Sequence, residues 1–153
     1  MRSLACVLLL LAAFAFPERL EAQQRTVPYW ASTRVNEVNM RVGPSPEFRI
    51  AWIYKRVGVP LRVVRVREGW RLVEDKDGAR GWVAARLLTE ERTVMVVQPG
   101  LTPMREEPDA GARLLWRLER DVIARLETCA EGWCRIAIGK RRGWAPANHL
   151  WGI

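Results

Sequence analysis

Histidine occurs once in this chain of 153 residues, cysteine three times, and lysine supplies only three of the 25 basic side chains. Each scarcity removes a class of chemistry. With His149 alone there is no histidine pair for a metal, and a nucleophile–histidine dyad would have to draw on a residue beside Leu150 and Trp151 in the closing turn. A structural role is expected for it. Neither a Gly-rich phosphate loop nor a metal-spaced histidine cluster is present. The paired carboxylates Glu90-Glu91, Glu106-Glu107 and Asp75/Asp77 fall in expected loops or a linker, where solvated surface charge is the ordinary state. No catalytic, metal or cofactor residue is therefore assigned, and the chain is expected not to be an enzyme. Apolar residues spaced by three and four are also missing, which argues against helices.

Long hydrophobic runs are absent but for one. Leu4 to Phe16 is apolar, Arg2 precedes it, and Leu20-Glu21-Ala22 offers a small residue for cleavage. This is the pattern of a secretory signal peptide over residues 1–22, too short for a stable membrane span, with the cut after Ala22 and Ala15 as the alternative. Cys6 precedes most of the run and leaves with it. The mature chain would begin at Gln23 and be periplasmic or secreted. Two arginines and two glutamates leave together, so the net charge stays at +8. That arginine excess reflects either a GC-rich genome or a surface that meets phosphates and carboxylates through planar forks.

The full sequence is 49% hydrophobic and 27% charged, a globular composition sufficient for one domain or for two of roughly 60 residues. The second arrangement is written in a repeat. Trp52, Trp70, Trp82 and Leu88 recur as Trp116, Trp133, Trp144 and Leu150, at offsets of 64, 63, 62 and 62, and Met40-Arg41 recurs as Met104-Arg105. Several anchors held at one period mean two copies of one supersecondary unit.

Each copy reads as strands. Ile136 and Ile138 alternate with Arg135 and Ala137; Trp70 and Leu72 alternate with Arg71 and Val73 less cleanly. Leu61 and Val63 share one parity and Val64 and Val66 the other, which predicts a bulge between Val63 and Val64. Asp77-Gly78 and Gly139-Lys140 mark hairpin turns, and Pro44, Pro46, Pro103 and Pro108 punctuate a long first loop in each copy. Short strands, tight turns and an expected buried aromatic set predict two small, strongly bent β-barrels, side by side across a short charged linker. The expected boundaries are a lead-in over 23–34, a first barrel over 35–88, a linker over 89–93 and a second barrel over 94–153.

Cys129 and Cys134 are the cysteines left after export. They bracket Ala-Glu-Gly-Trp with a turn-forming Gly132, which places them opposite each other at a hairpin neck, within reach of a disulfide. Two alternatives compete with it: a metal site would need two more ligands, and a redox pair would more often show two intervening residues than four.

"VNMRVGPSPEF" from Val35, then "EGW" at Glu68 and "GWVAARLL" at Gly81, resembles the bacterial Src-homology-3-like (SH3-like) domain. The second copy keeps Arg105, Trp133, Gly143, Trp144 and Leu150 but has Glu106-Glu107-Pro108 in place of Gly-Pro-Ser. With "PYWAS" ahead of the first copy, the chain is similar to exported proteobacterial proteins that carry two such domains in tandem. The resemblance implies an all-β fold of two tandem SH3-like barrels. It also implies a binding module for peptidoglycan or another envelope ligand, with a peptide groove beside the first long loop. An adaptor for a protein partner is the alternative. A nucleic-acid binder fits the charge but conflicts with export.

Aromatic residues point to where binding would occur. Eight tryptophans are too many for two small cores to hide completely; Trp82 and Trp144 are expected in core or interface packing. Tyr29, Trp30, Tyr54 and Trp70 are expected to be partly exposed, with arginines interleaved. Aromatic planes beside guanidinium groups suit peptide carboxylates, sugars and bases. With Arg41 and Ser45 of the first long loop, they form the candidate site. Glu106-Glu107 would repel an acidic ligand from the second copy.

Overall fold

A computed structural model describes residues 25–153; the expected signal over residues 1–22, Cys6 and both cleavage positions lie outside the described residues. The protein is all-β, with two antiparallel seven-stranded sheets of identical connectivity. The first contains β1 (Tyr29–Thr33), β2 (Val38–Arg41), β3 (Ile50–Tyr54), β4 (Pro60–Arg67), β5 (Trp70–Glu74), β6 (Arg80–Ala84) and β7 (Leu88–Thr89), in the order β3-β2-β6-β5-β4-β1-β7. The second repeats it with β8 (Thr93–Val96), β9 (Thr102–Arg105), β10 (Leu114–Leu118), β11 (Ile123–Ala130), β12 (Trp133–Ile138), β13 (Arg141–Pro146) and β14 (Leu150–Trp151). Short 3-10 turns at Ala85–Leu87 and Ala147–His149 lead into the closing strands, which end the copies at buried Leu88 and Leu150.

The segment expected as a lead-in is corrected by its hydrogen bonds. Tyr29–Ser32 pair with Pro60–Val63 of β4, and Ser32-Thr33 pair with Leu88-Thr89, so β1 is part of the first sheet and the counterpart of β8.

The repeated motifs are packing requirements. A Cβ on Gly81 would stand 2.5 Å from Met40 Cγ and 2.9 Å from the Arg41 carbonyl oxygen; on Gly143 it would stand 2.7 Å from Met104 Cγ and 2.8 Å from the Arg105 carbonyl oxygen. The glycine of each Gly-Trp therefore lets the buried methionine strand cross closely, which is why Met-Arg and Gly-Trp recur together. Glu-Gly-Trp is a turn followed by a strand. Glu131 and Gly132 both have positive φ, 49° and 81°, the geometry of a type I′ hairpin between Ala130 and Trp133. The expected bulge is present: β4 and β5 change register between Val63 and Arg65, which buries Leu61 and Val63 and turns Val64 and Val66 to the other parity.

The buried aromatic set is not found. All eight tryptophans are half-buried or exposed, and the cores are built from Val38, Met40, Leu61, Val63, Val73 and Val83 in one barrel and Val94, Val96, Met104, Ile136 and Ala145 in the other. Trp82 and Trp144 pair across strands with Arg41 and Arg105, on the face away from the buried methionines. In β5 the core position is Val73, with Trp70 and Leu72 half-buried on the opposite face. Glu74, buried between Arg62 and Arg80, ties β4, β5 and β6; the Arg80 hydrogen bond and both guanidinium charges hold its carboxyl below its ordinary range.

The barrels lie side by side and share a seam. Met95 of the second barrel belongs to the first core, and Ile123 packs against it. Thr93 Oγ1 donates to the Gly58 carbonyl at 2.7 Å and lies 2.6 Å from Ser32 Oγ. Trp151 stands edge-on to Trp30 with centroids 4.9 Å apart and donates from Nε1 to the Pro60 carbonyl at 3.1 Å.

Cys129 and Cys134 are paired across β11 and β12 and joined by a disulfide at the hairpin neck. Replacing both by serine is expected to cost about 1–3 kcal/mol, because the closed loop is short. The loss should fall mainly on the second barrel, read as lower melting of that half by hydrogen exchange. Two free thiols in non-reduced protein from its native host would contradict this.

Candidate functional site

A cleft of about 550 Å³ opens on the first barrel, lined by Asn39, Arg41, Pro46, Trp70, Ala84 and Arg86 among others. Its shape follows from strand parity. Asn39 and Arg41 are two apart on β2 and share the face away from Met40, while Trp70 pairs with Ala84 on the neighbouring strands. The long first loop brings Pro46 to one wall, and the 3-10 turn brings Arg86 to another. Asn39 Oδ1 is buried without a hydrogen-bond donor from the protein. A buried amide oxygen without a donor is costly, and because the atom is enclosed a ligand in the cleft reaches it only if the side chain turns.

Arg41 has a second task. Its Nη1 donates to the Phe48 carbonyl at 2.7 Å, and Arg105 Nη1 donates likewise to the Ala112 carbonyl at 2.6 Å. The repeated arginine thus braces the long loop in both copies. Replacing Arg41 would therefore disturb the loop as well as the cleft, whereas Trp70, whose ring makes no such bond, tests the cleft alone.

The other candidates are divided. Tyr29 lies in an adjoining cleft of about 300 Å³, where its hydroxyl accepts from Arg71 Nε at 2.9 Å; Ala85 lines both clefts. Ser45 sits in the loop, its Oγ accepting from the Glu47 amide. Trp30 is committed to the seam. Tyr54 is corrected outright: only 7% exposed, it lies in the core and donates to Asp75 Oδ2 at 3.1 Å. Burial and the nearby Asp75 carboxylate push its phenol above the ordinary range.

The second copy differs where the first is recessed. Pro103, Pro146 and Asn148 stand in place of Asn39, Ala84 and Arg86. Glu106 is a bidentate partner of Arg113, whose hydrogen bonds hold its carboxyl below the usual range. Repulsion of an acidic ligand from this loop therefore rests on Glu107, and the expectation for Glu106 is corrected. Several other titratable candidates have structural partners: Glu90 with Arg25, Asp75 with the amides of Asp77 and Ala79, Asp77 with Lys76, and His149 Nδ1 with Thr102 Oγ1 at 3.1 Å.

The family model described as bacterial SH3 domain matches twice, at residues 34–90 and 98–152. No curated protein matches the chain. Among solved structures it is similar to NlpC2 from Trichomonas vaginalis, at 12% identity and TM-score 0.37, covering 81% of this chain and 48% of that one. NlpC1 from Trichomonas vaginalis gives 12% and 0.37, covering 84% and 47%. An NlpC/P60 family protein from Bacillus cereus gives 14% and 0.34, covering 80% and 55%. The chain spans about half the length of these structures.

Proposed function

We propose, from the premise that the chain belongs to the bacterial SH3 domain family, that it is an exported, non-catalytic module that holds an acidic peptide of the cell wall in the cleft of its first barrel. Domains of this family are often cell-wall binding modules and typically non-catalytic. The observation that carries the reading is the convergence of Asn39, Arg41, Arg86 and the half-buried Trp70 on one recess. Peptidoglycan stem peptides offer what these residues take: carboxylates for the arginines and an aliphatic backbone for the ring. The second barrel braces the first through the seam.

Co-sedimentation with purified sacculi across a salt series tests this. Saturable binding that weakens with salt is expected, because the arginine contacts are screened; retention of the protein in the supernatant at every salt concentration would refute it. Export is tested separately by intact mass of the protein from its native host, with Gln23 expected as the first residue. A retained Met1 or a cytoplasmic location would contradict that part.

A further inference from the structure

We infer that the groove along the seam is a second binding site, for a neutral oligosaccharide, with the Trp52 indole as its stacking platform. The groove encloses about 430 Å³ between the barrels, with Val59 of the first and Met95 of the second on its floor. Trp52 lies on its wall and is 57% exposed, the most exposed of the large hydrophobic residues.

The repeat shows that this exposure is a departure. Trp116 occupies the same position in the second barrel, pairing with Met104 as Trp52 pairs with Met40. There the guanidinium of Arg141 covers the ring, 5.5 Å from its centroid. Counting back from Gly143-Trp144 to Gly81-Trp82, the residue equivalent to Arg141 is Ala79, whose methyl group has no reach over Trp52. One copy of the tryptophan is covered by its own barrel, and the other faces the groove bare.

The polar groups around the groove indicate what meets that face. Asp75, Asp77 and Asp121 stand against Lys55, Arg56 and Lys76, three acids and three bases in a protein of net charge +8. The cleft of the first barrel, by contrast, presents arginines and no carboxylate in its lining. A balanced rim of donors and acceptors disfavours a ligand of strong charge and suits hydroxyl and acetamido groups, which both give and accept hydrogen bonds. Lys76 Nζ lies 2.8 Å from Asp77 Oδ2 and 3.8 Å from Asp121 Oδ1, so the acids and bases of the rim offset one another and leave no net charge for an ionic ligand. An apolar ring face on the indole and hydroxyls on the rim describe a sugar. Because Met95 and Asp121 come from the second barrel and Trp52 from the first, the site exists only in the tandem.

The test is titration of the full mature chain, disulfide intact, with a peptide-free β-1,4-linked N-acetylglucosamine tetramer, followed by calorimetry. Saturable binding is expected in the wild type. Trp52→Ala should weaken it by about tenfold or more, as loss of an aromatic anchor does. Ala79→Arg should weaken it comparably by covering the ring as Arg141 covers Trp116, and Trp70→Ala should leave it unchanged; thermal melts confirm that each variant folds. No binding by the wild type, or binding indifferent to both groove variants, would overturn the inference. So would a flat sugar titration in which Trp52→Ala changes self-association by sedimentation, since the face would then be a contact between copies. Sacculi carry glycan as well as peptide, so the cleft is read by the loss on Trp70→Ala and at raised salt, while the peptide-free tetramer reads the groove alone, and each can fail separately.

Discussion

Gly143→Ala is expected to lower the stability of the protein by about 2–3 kcal/mol, and Gly81→Ala by a similar amount, as overpacking at a close crossing does. In each barrel the added methyl group would meet a methionine side chain that could move and a backbone carbonyl that could not: the Arg105 oxygen at 2.8 Å or the Arg41 oxygen at 2.9 Å. Relieving that contact means separating β13 from β9, or β6 from β2, where only Trp144–Arg105 and Trp82–Arg41 hold the ladder. The melting temperature should fall by roughly 6–12 °C. Gly111→Ala is the control: it lies in the long loop, with only the Asp109 side chain nearby, and should stay within about 0.5 kcal/mol of wild type. A Gly143→Ala protein that melts with the wild type would mean that the shared Met-Arg and Gly-Trp motifs are not one packing unit.

Trp151→Ala is expected to cost about 2–4 kcal/mol and, more tellingly, to split one unfolding transition into two. The indole is the largest side chain crossing the seam, stacked edge-on against Trp30 and bonded to the Pro60 carbonyl. Next to it, a Cβ on Gly152 would lie 2.5 Å from the Thr93 carbonyl oxygen, so the chain cannot shift inward to fill the space. With the indole gone, the seam keeps the Thr93–Gly58 hydrogen bond and Met95 but loses its largest apolar contact. Calorimetry of wild type and variant checks this. Trp52→Ala, at an exposed position, should cost no more than about 0.5–1 kcal/mol. Two transitions already present in the wild type would show that the barrels are independent and that the second does not brace the first.

Much of the fold was legible because the same constraints act twice. Close packing at Gly81 and Gly143, the turns at Gly69 and Gly132, and the hairpin that joins Cys129 to Cys134 all leave short, position-specific signatures. The strand over Tyr29–Thr33 left none that recurs: it is held by main-chain pairing to β4 and β7, and its side chains share little with Thr93–Val96. The tryptophans misled for a related reason. Alternation tells which residues share a face, but not which face is inside, and aliphatic residues of the opposite parity fill both cores. Tyr54 could have been placed from the repeat itself, since Leu118, 64 residues on, is a buried aliphatic residue.

The candidate site was legible in part. Arg41 and Trp70 do converge, and the signal that would have added Asn39 is simple parity, two residues before Arg41 on the same strand. Arg86 was out of reach, because only the 3-10 turn after β6 carries it back to the cleft. The bareness of Trp52 depends on what lies above it, Ala79 instead of the arginine found at 141, and emerges only once the hairpins are aligned in space.

The account's central claim is that the acidic peptide is held by the first barrel alone, and it is tested most directly by titrating Trp70→Ala and Trp133→Ala against purified sacculi side by side, with thermal melts of both. These residues are equivalent in the repeat, but one faces a recess with Asn39 and Arg86 and the other a position flanked by Pro103 and Asn148. Trp70→Ala is predicted to weaken binding by about 1–3 kcal/mol with little change in melting, as truncation of an aromatic anchor does. Trp133→Ala is predicted to lower the melting temperature and leave the affinity within about 0.5 kcal/mol of wild type. Equal losses of affinity from the two variants would contradict a single peptide site.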